Sequence, residues 1–168
     1  LDAAEECKVH QAMWKAMEFF YKQGKARAIG VSNFYQPELD CILPKANVVP
    51  HVNQVSFHVG QQGGCDPEGI RTYLASKNIH LQAYSPLGSP RGVQSLLLDP
   101  ALRRIAKAHQ QSPASVAHRW ILQHQASVLT TTTNPQHMRE ALDAFSFELS
   151  YKPAEGDRPA SGEMEEIK

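Results

Sequence analysis

The stretch Gln82-Ala83-Tyr84-Ser85-Pro86-Leu87-Gly88-Ser89 decides how the rest of this 168-residue chain is read. Just before and into it, Asn78-Ile79-His80-Leu81-Gln82-Ala83 alternates polar and apolar side chains over the length of a strand. Pro86 has no backbone donor for a strand ladder and Gly88 invites a turn, so the strand stops there. Its end opens into bare backbone N–H groups and small hydroxyls, chemistry suited to holding a phosphate. Tyr84 sets a flat ring beside them, where a planar ligand could stack. Taken alone, such a segment is more often a plain surface turn. Its neighbours carry the argument.

Working outward, strands are expected over 26–31, 52–57, 79–84 and 127–131, each followed by helical periodicity. The first helix precedes them all. Val9, Met13, Met17, Phe20 and Tyr21 fall on one of its faces, which reads as core packing, and Gly24 ends it. Further helices are expected over 37–43, over 67–77 behind an Asp66 cap, over 100–110, over 113–125 and over 135–144. Asp99-Pro100 and Ser112-Pro113 each join a capping side chain to a proline suited to the first helical turn. Residues 90–99 read as a loop. The Pro-, Gly- and charge-rich stretch 151–162 reads as a mobile excursion.

Composition narrows the partners. Lys plus Arg equals Asp plus Glu at 17 each, with no basic stripe, so neither nucleic acid nor an anionic membrane is the expected partner. Hydrophobic residues make up 42% of the chain, enough for a globular core. There is no apolar run long enough to span a bilayer and no signal peptide at the start, so a cytoplasmic location is expected. Cys7, Cys41 and Cys65 are odd in number and widely spaced, and read as reduced thiols.

Repeated strand-helix units imply parallel strands joined by right-handed crossovers. Four units are too few for a closed (β/α)8 barrel, which takes about 250 residues. The rhythm leaves open a small flavodoxin-like sheet or half of such a barrel. A Rossmann domain is disfavoured, because no Gly-rich fingerprint follows the first strand.

A family resemblance bears on that choice. Trp14-Lys15-Ala16-Met17-Glu18, the run from Gly24 to Val31-Ser32-Asn33-Phe34, Asn53-Gln54-Val55, the opening stretch, Arg119-Trp120-Ile121-Leu122-Gln123, and Thr133-Asn134-Pro135 with Phe145-Ser146-Phe147-Glu148-Leu149-Ser150 together resemble the aldo-keto reductases. The segments are collinear from about Met13 to Ser150. The resemblance implies a TIM-type (β/α)8 barrel of which this chain covers about strands five to eight, with residues 1–150 as the half barrel and 151–168 as a mobile tail. It also implies reduction of an aldehyde or ketone by NADPH, with NADH as the alternative.

By the same resemblance, Ser32, Asn33 and Gln54 would hold the nicotinamide carboxamide and Tyr84 would stack on its ring. Ser85, Leu87 and Ser89 would line the pyrophosphate. Thr131, Thr132 and Asn134 would meet the adenosine phosphate, and Glu140 the adenine. The family's catalytic Asp, Tyr, Lys and His belong to the first half of the barrel, so no catalytic residue is expected here. The implied partners are a small carbonyl substrate and the missing N-terminal half, and the isolated chain is expected to self-associate. A non-catalytic nicotinamide-binding module or relic remains the alternative.

Departures from the family's pattern fall at named positions. Thr131 and His137 stand where many members carry Lys and Arg for the 2′-phosphate, and Ser56 replaces a common Glu. An insertion separates Leu149-Ser150 from Glu163-Met164. His118 and His124 do not share a helix face and read as structural, and no metal set is expected.

Overall fold

A computed structural model of the chain describes residues 2–88, 92–155 and 160–167. The chain divides into two compact units, the first made of 1–55 and 68–81, the second of 56–67 and 82–168. Four strands, β1 (Gly30–Ser32), β2 (Val52–Ser56), β3 (His80–Tyr84) and β4 (Ser127–Val128), lie in the order β1-β2-β3-β4. β1 runs parallel to β2, with Gly30 opposite Val52 and Ser32 opposite Gln54. β3 runs parallel to β4, with Gln82 opposite Ser127. The chain passes from the first unit to the second within β3.

In the first unit, α1 (Ala3–Lys22) starts at Asp2, whose side chain accepts from the Glu5 N–H. It closes at Gly24, whose φ of 68° is one that glycine adopts without strain. The expected core stripe is not what this helix buries. Trp14 and Glu18 are buried, whereas Val9, Met13, Met17 and Phe20 stand exposed, Met13 at 63%. Helical spacing locates an apolar face but says nothing about what covers it.

Trp14 Nε1 donates to the Val48 carbonyl at 3.0 Å. The Glu18 carboxylate accepts from the Asn47 and Val48 N–H groups at 2.6 and 2.8 Å and from Asn47 Nδ2 at 3.0 Å. Burial alone would raise the Glu18 pKa, but these hydrogen bonds, with Lys22 nearby, bring it below the usual carboxylate value.

The first strand is shorter and later than expected, because residues before Gly30 bond individually rather than in a ladder, as in the His51 N–H to Ile29 carbonyl contact at 2.9 Å. Gly30 is required at the start of β1, since a Cβ there would fall 2.3 Å from Val52 Cγ1. α2 (Gln36–Ile42) and α3 (Ile70–Ser76) complete the unit, and the Tyr73 hydroxyl donates to Asp40. Asp66 does not cap α3. The cap position is Gly69, and both Glu68 and Gly69 turn through positive φ, so the helix starts later than its proline suggests.

Two cysteines depart from expectation. Cys7 on α1 and Cys41 on α2 form a disulfide with a Cα–Cα separation of 5.7 Å, and Cys65 takes no part in it. Sequence spacing could not reveal that α1 lies against α2, which is what brings residues 34 apart together.

In the second unit, α4 (Val93–Leu97) occupies part of the stretch expected as loop. α5 (Pro100–Ala108) and α6 (Pro113–Gln123) begin as expected, with Asp99 accepting from the Leu102 N–H and Ser112 from the Ser115 N–H. α7 (Pro135–Asp143) starts at Asn134, whose side chain accepts from the Gln136 N–H. The core gathers on α6, where Trp120 and Phe57 stack with centroids 5.3 Å apart.

The tail comes back to this core. Lys152 and Ser161 form an antiparallel bridge, and α8 (Glu163–Glu166) buries Met164. The Trp120 Nε1 donates to the Met164 carbonyl at 3.0 Å. The Ser150 N–H donates to Glu163 Oε2 at 2.8 Å, and the Glu163 N–H to Ser150 Oγ at 3.2 Å. No described helix is long and apolar enough to cross a membrane.

Candidate functional site

Each unit carries its own part of the expected site. In the first, the parallel register puts Ser32 beside Gln54 at the C-terminal ends of β1 and β2. The Gln54 carbonyl accepts from the Ser32 hydroxyl at 3.0 Å and from the Asn33 N–H at 2.9 Å. Asn33 has φ 55°, a left-handed conformation that asparagine tolerates better than most residues, and it turns the chain sharply off the strand. Ser32 and Asn33 are exposed and Gln54 half-buried. Three amide or hydroxyl side chains therefore stand together at one end of the strands. Neither Ser32 nor Asn33 caps the following helix, because α2 begins behind Tyr35.

In the second unit, β3 ends at Tyr84, and Ser85 swings to φ 49°. The Gly88 N–H closes the turn on the Ser85 carbonyl at 2.8 Å. A cavity of about 630 Å³ opens there, walled by Tyr84, Ser85, Leu87 and Gly88 and faced by His58, Asp99 and Glu166. A Cβ on Gly88 would stand 3.7 Å from the His58 ring, at the floor of that space. The Asp99 carboxylate is taken up by the Leu102 N–H and Glu166 by an ion pair with Arg104.

Leu87 also lines a second cavity of about 210 Å³, which brings together Thr131, Thr132, His137 and Glu140. Thr132 Oγ1 accepts from the Asn134 N–H at 3.1 Å and lies 3.5 Å from His137 Nδ1. Glu140 accepts from Gln136 Nε2 at 3.0 Å. Asn134 serves as the α7 cap and lines neither cavity. Ser89 lies outside the described residues. Among the described lining residues of both cavities there is no Lys or Arg. Among the described lining residues a phosphate would meet backbone N–H groups, hydroxyls and the His58 and His137 rings.

Several wall residues were not singled out from sequence. His58 and Glu166 come from a loop and the tail, where no local pattern marks them, and the pattern at Asp99 marks only a helix cap. His118, which the sequence reads as structural, is the larger departure. It is 4% exposed, neither ring nitrogen has a hydrogen-bond partner, and burial pushes its pKa down to about 4. Among the described residues no group of His, Cys, Asp and Glu could hold a metal ion.

The model of the Aldo/keto reductase family matches residues 3–155. The chain is 42% identical over 139 residues to Aldo-keto reductase family 4 member C11 of Arabidopsis thaliana, covering 81% of this chain and 43% of that protein. It is 41% identical over 138 residues to glyoxal reductase of Bacillus subtilis, covering 82% and 47%. Among solved structures it resembles a mutant of Gox0644 in complex with NADPH, at 35% identity and a TM-score of 0.71, over 82% of this chain and 48% of that one. The chain thus spans about half the length of the relatives it matches. With the family model matching residues 3–155 and the four strands in sequence order, the chain belongs to the aldo/keto reductase family.

Proposed function

We propose that this chain is the cofactor-holding half of an NADPH-dependent carbonyl reductase, its strands corresponding to strands five to eight of a (β/α)8 barrel. One observation carries the reading. At the C-terminal strand ends, where barrel active sites lie, the first unit gathers Ser32, Asn33 and Gln54, and the second sets two cavities joined at Leu87.

The residues present fit such a cofactor. Ser32, Asn33 and Gln54 offer the donors and acceptors that a carboxamide needs, and Tyr84 a ring face. The turn from Ser85 to Gly88 offers backbone, with Gly88 leaving room for close approach. Thr131, Thr132 and His137 face the place of the adenosine phosphate and Glu140 that of the base, Asn134 holding the turn between them. When bound, the cofactor supplies the hydride. The residues of this chain bind and orient it, while the proton donor and its tuning groups belong, in this reading, to the half that precedes Leu1.

Exposed apolar surface supports a missing half. Val9, Met13, Met17 and Phe20 stand uncovered in the first unit, and Leu129, Met138, Leu142 and Phe145 in the second, the last two at 69% and 68%. β1 and β4 are the outer strands. Covering these surfaces is the role we assign to the N-terminal half. A chain without it should self-associate and reduce nothing. With Thr131 and His137 in place of Lys and Arg, discrimination against NADH should be weaker than in relatives that keep both. We place the protein in the cytoplasm, where the Cys7–Cys41 disulfide would face reduction and the first unit would lose that support.

The test is to titrate the purified chain with NADPH, then to assay aldehyde-dependent NADPH oxidation with and without the N-terminal half of a relative. Binding by the chain, with turnover only in the mixture, is expected. Absence of NADPH binding overturns the reading. Turnover by the chain alone overturns the division of labour, and binding with no turnover even in the mixture would favour a nicotinamide-binding module.

A further inference from the structure

We propose that His118 reads the nucleobase of an adenosine phosphate, its imidazole hydrogen-bonding the purine edge from the wall of the cavity shared with Thr130, Thr132, His137 and Glu140. This rests on the cofactor reading above and adds to it a residue in no motif that carries the resemblance.

Four other histidines of this fold have hydrogen-bond partners within the chain. His51 bonds to Ile29, His58 to the Val59 carbonyl, His109 to Glu163 and His124 to the Trp120 carbonyl. His118 alone, among the described residues, has side-chain nitrogens that are both buried and unpartnered. A polar group removed from water without a partner is destabilising, so its retention calls for an explanation. One turn earlier on α6, Ser115 has the same burial but gives its hydroxyl to the Glu140 carbonyl at 2.7 Å. Packing against α7 therefore does supply partners, and His118 is passed over.

His118 stands in the walls of two cavities. It lines the 210 Å³ cavity and also a neighbouring one of about 560 Å³. The smaller has apolar sides from Leu87, Val93 and Leu97 and a few polar groups, the composition of a small-molecule site. A neutral imidazole presents one donor and one acceptor. Glu140 adds an acceptor, suited to an exocyclic amine. A purine edge, with ring nitrogens beside an amine, complements both. The ring nitrogens are closed to solvent in the free chain. The torsion that turns a histidine ring about its Cβ–Cγ bond is broad, so presenting one of them to the cavity needs no change of helix.

The experiment uses the whole 168-residue chain and two probes, adenosine 2′,5′-bisphosphate and nicotinamide mononucleotide. Calorimetry compares wild type, His118→Leu and His118→Gln. Wild type should bind the adenosine probe, and His118→Leu should bind it about tenfold more weakly, a loss of about 1.4 kcal/mol. His118→Gln should recover part of the loss, and affinity for the nicotinamide probe should not change. In the wild type, the nitrogen resonances of His118 should shift with the adenosine probe and not with the other. Equal adenosine affinity in wild type and His118→Leu, or an unmoved His118 resonance, would overturn this inference while leaving the cofactor reading intact. If wild type binds neither probe, the cofactor reading itself fails. If His118→Leu loses both probes through misfolding, the wild-type resonance decides.

Discussion

Glu18 and His118 are buried to the same degree, 3% and 4% exposed, one in each unit, and the fold treats them oppositely. Glu18 receives three hydrogen bonds and fixes the chain at Asn47 and Val48. His118 receives none. A buried titratable group that the fold satisfies is architecture. One that it leaves unsatisfied beside a cavity points outside the chain. Burial alone does not distinguish the two, and the partner census does.

The largest expected effect falls on the Glu18 side. Reducing Cys7–Cys41, which closes a loop of 34 residues, should cost the first unit roughly 3–4 kcal/mol. Hydrogen exchange with and without reductant would show protection lost in α1 and α2 and kept in α5 and α6. Uniform loss across both units would mean that the comparison between them is artificial.

Next comes acid. The His118 pKa falls from 6.5 in the unfolded chain to about 4 in the folded one. The unfolded chain therefore binds the extra proton first, and stability is lost as pH falls from 6.5 toward 4. Between pH 7 and 4.5 the loss should be roughly 2–3 kcal/mol. Urea midpoints at the two pH values should show a smaller loss in His118→Leu. The Glu18 pKa is lowered as well, but from the carboxylate value of 4.5. Its contribution is present above 4.5 and disappears only as pH falls through its folded pKa, so the two residues act in different windows.

Glu18→Ala, at neutral pH, strands the donors of Asn47 and Val48 and should cost about 2 kcal/mol, with Glu18→Gln costing less. A variant as stable as wild type would show those donors content with water. Smallest is Asn134→Ala, which removes the α7 cap and should cost about 1 kcal/mol. The same change should weaken adenosine binding, which thermal melts with and without adenosine 2′,5′-bisphosphate would report.

Much of this was legible in the sequence. The break after Tyr84, the Asp99 and Ser112 caps and the strand rhythm are local signals, written by neighbouring residues. The family segments located Tyr84, Ser85, Leu87, Thr131, Thr132, His137 and Glu140, and the structure sets these seven around two cavities that share Leu87. What could not be read depends on contacts distant in sequence. The Cys7–Cys41 disulfide requires knowing that α1 meets α2. The exposed Met13 requires knowing that nothing in the first unit covers its face. His118 looked structural because periodicity reports a buried position and cannot report a missing partner.

The closure between Ser150 and Glu163 has a use in engineering. The chain leaves the body of the second unit at Ser150 and returns beside it, the two residues exchanging hydrogen bonds and Lys152 pairing with Ser161. A segment with adjoining ends can be shortened, exchanged or lengthened without asking the core to move. The position is a natural port for a genetically encoded reporter or an affinity handle. Joining Ser150 directly to Glu163 would give the matching minimal scaffold.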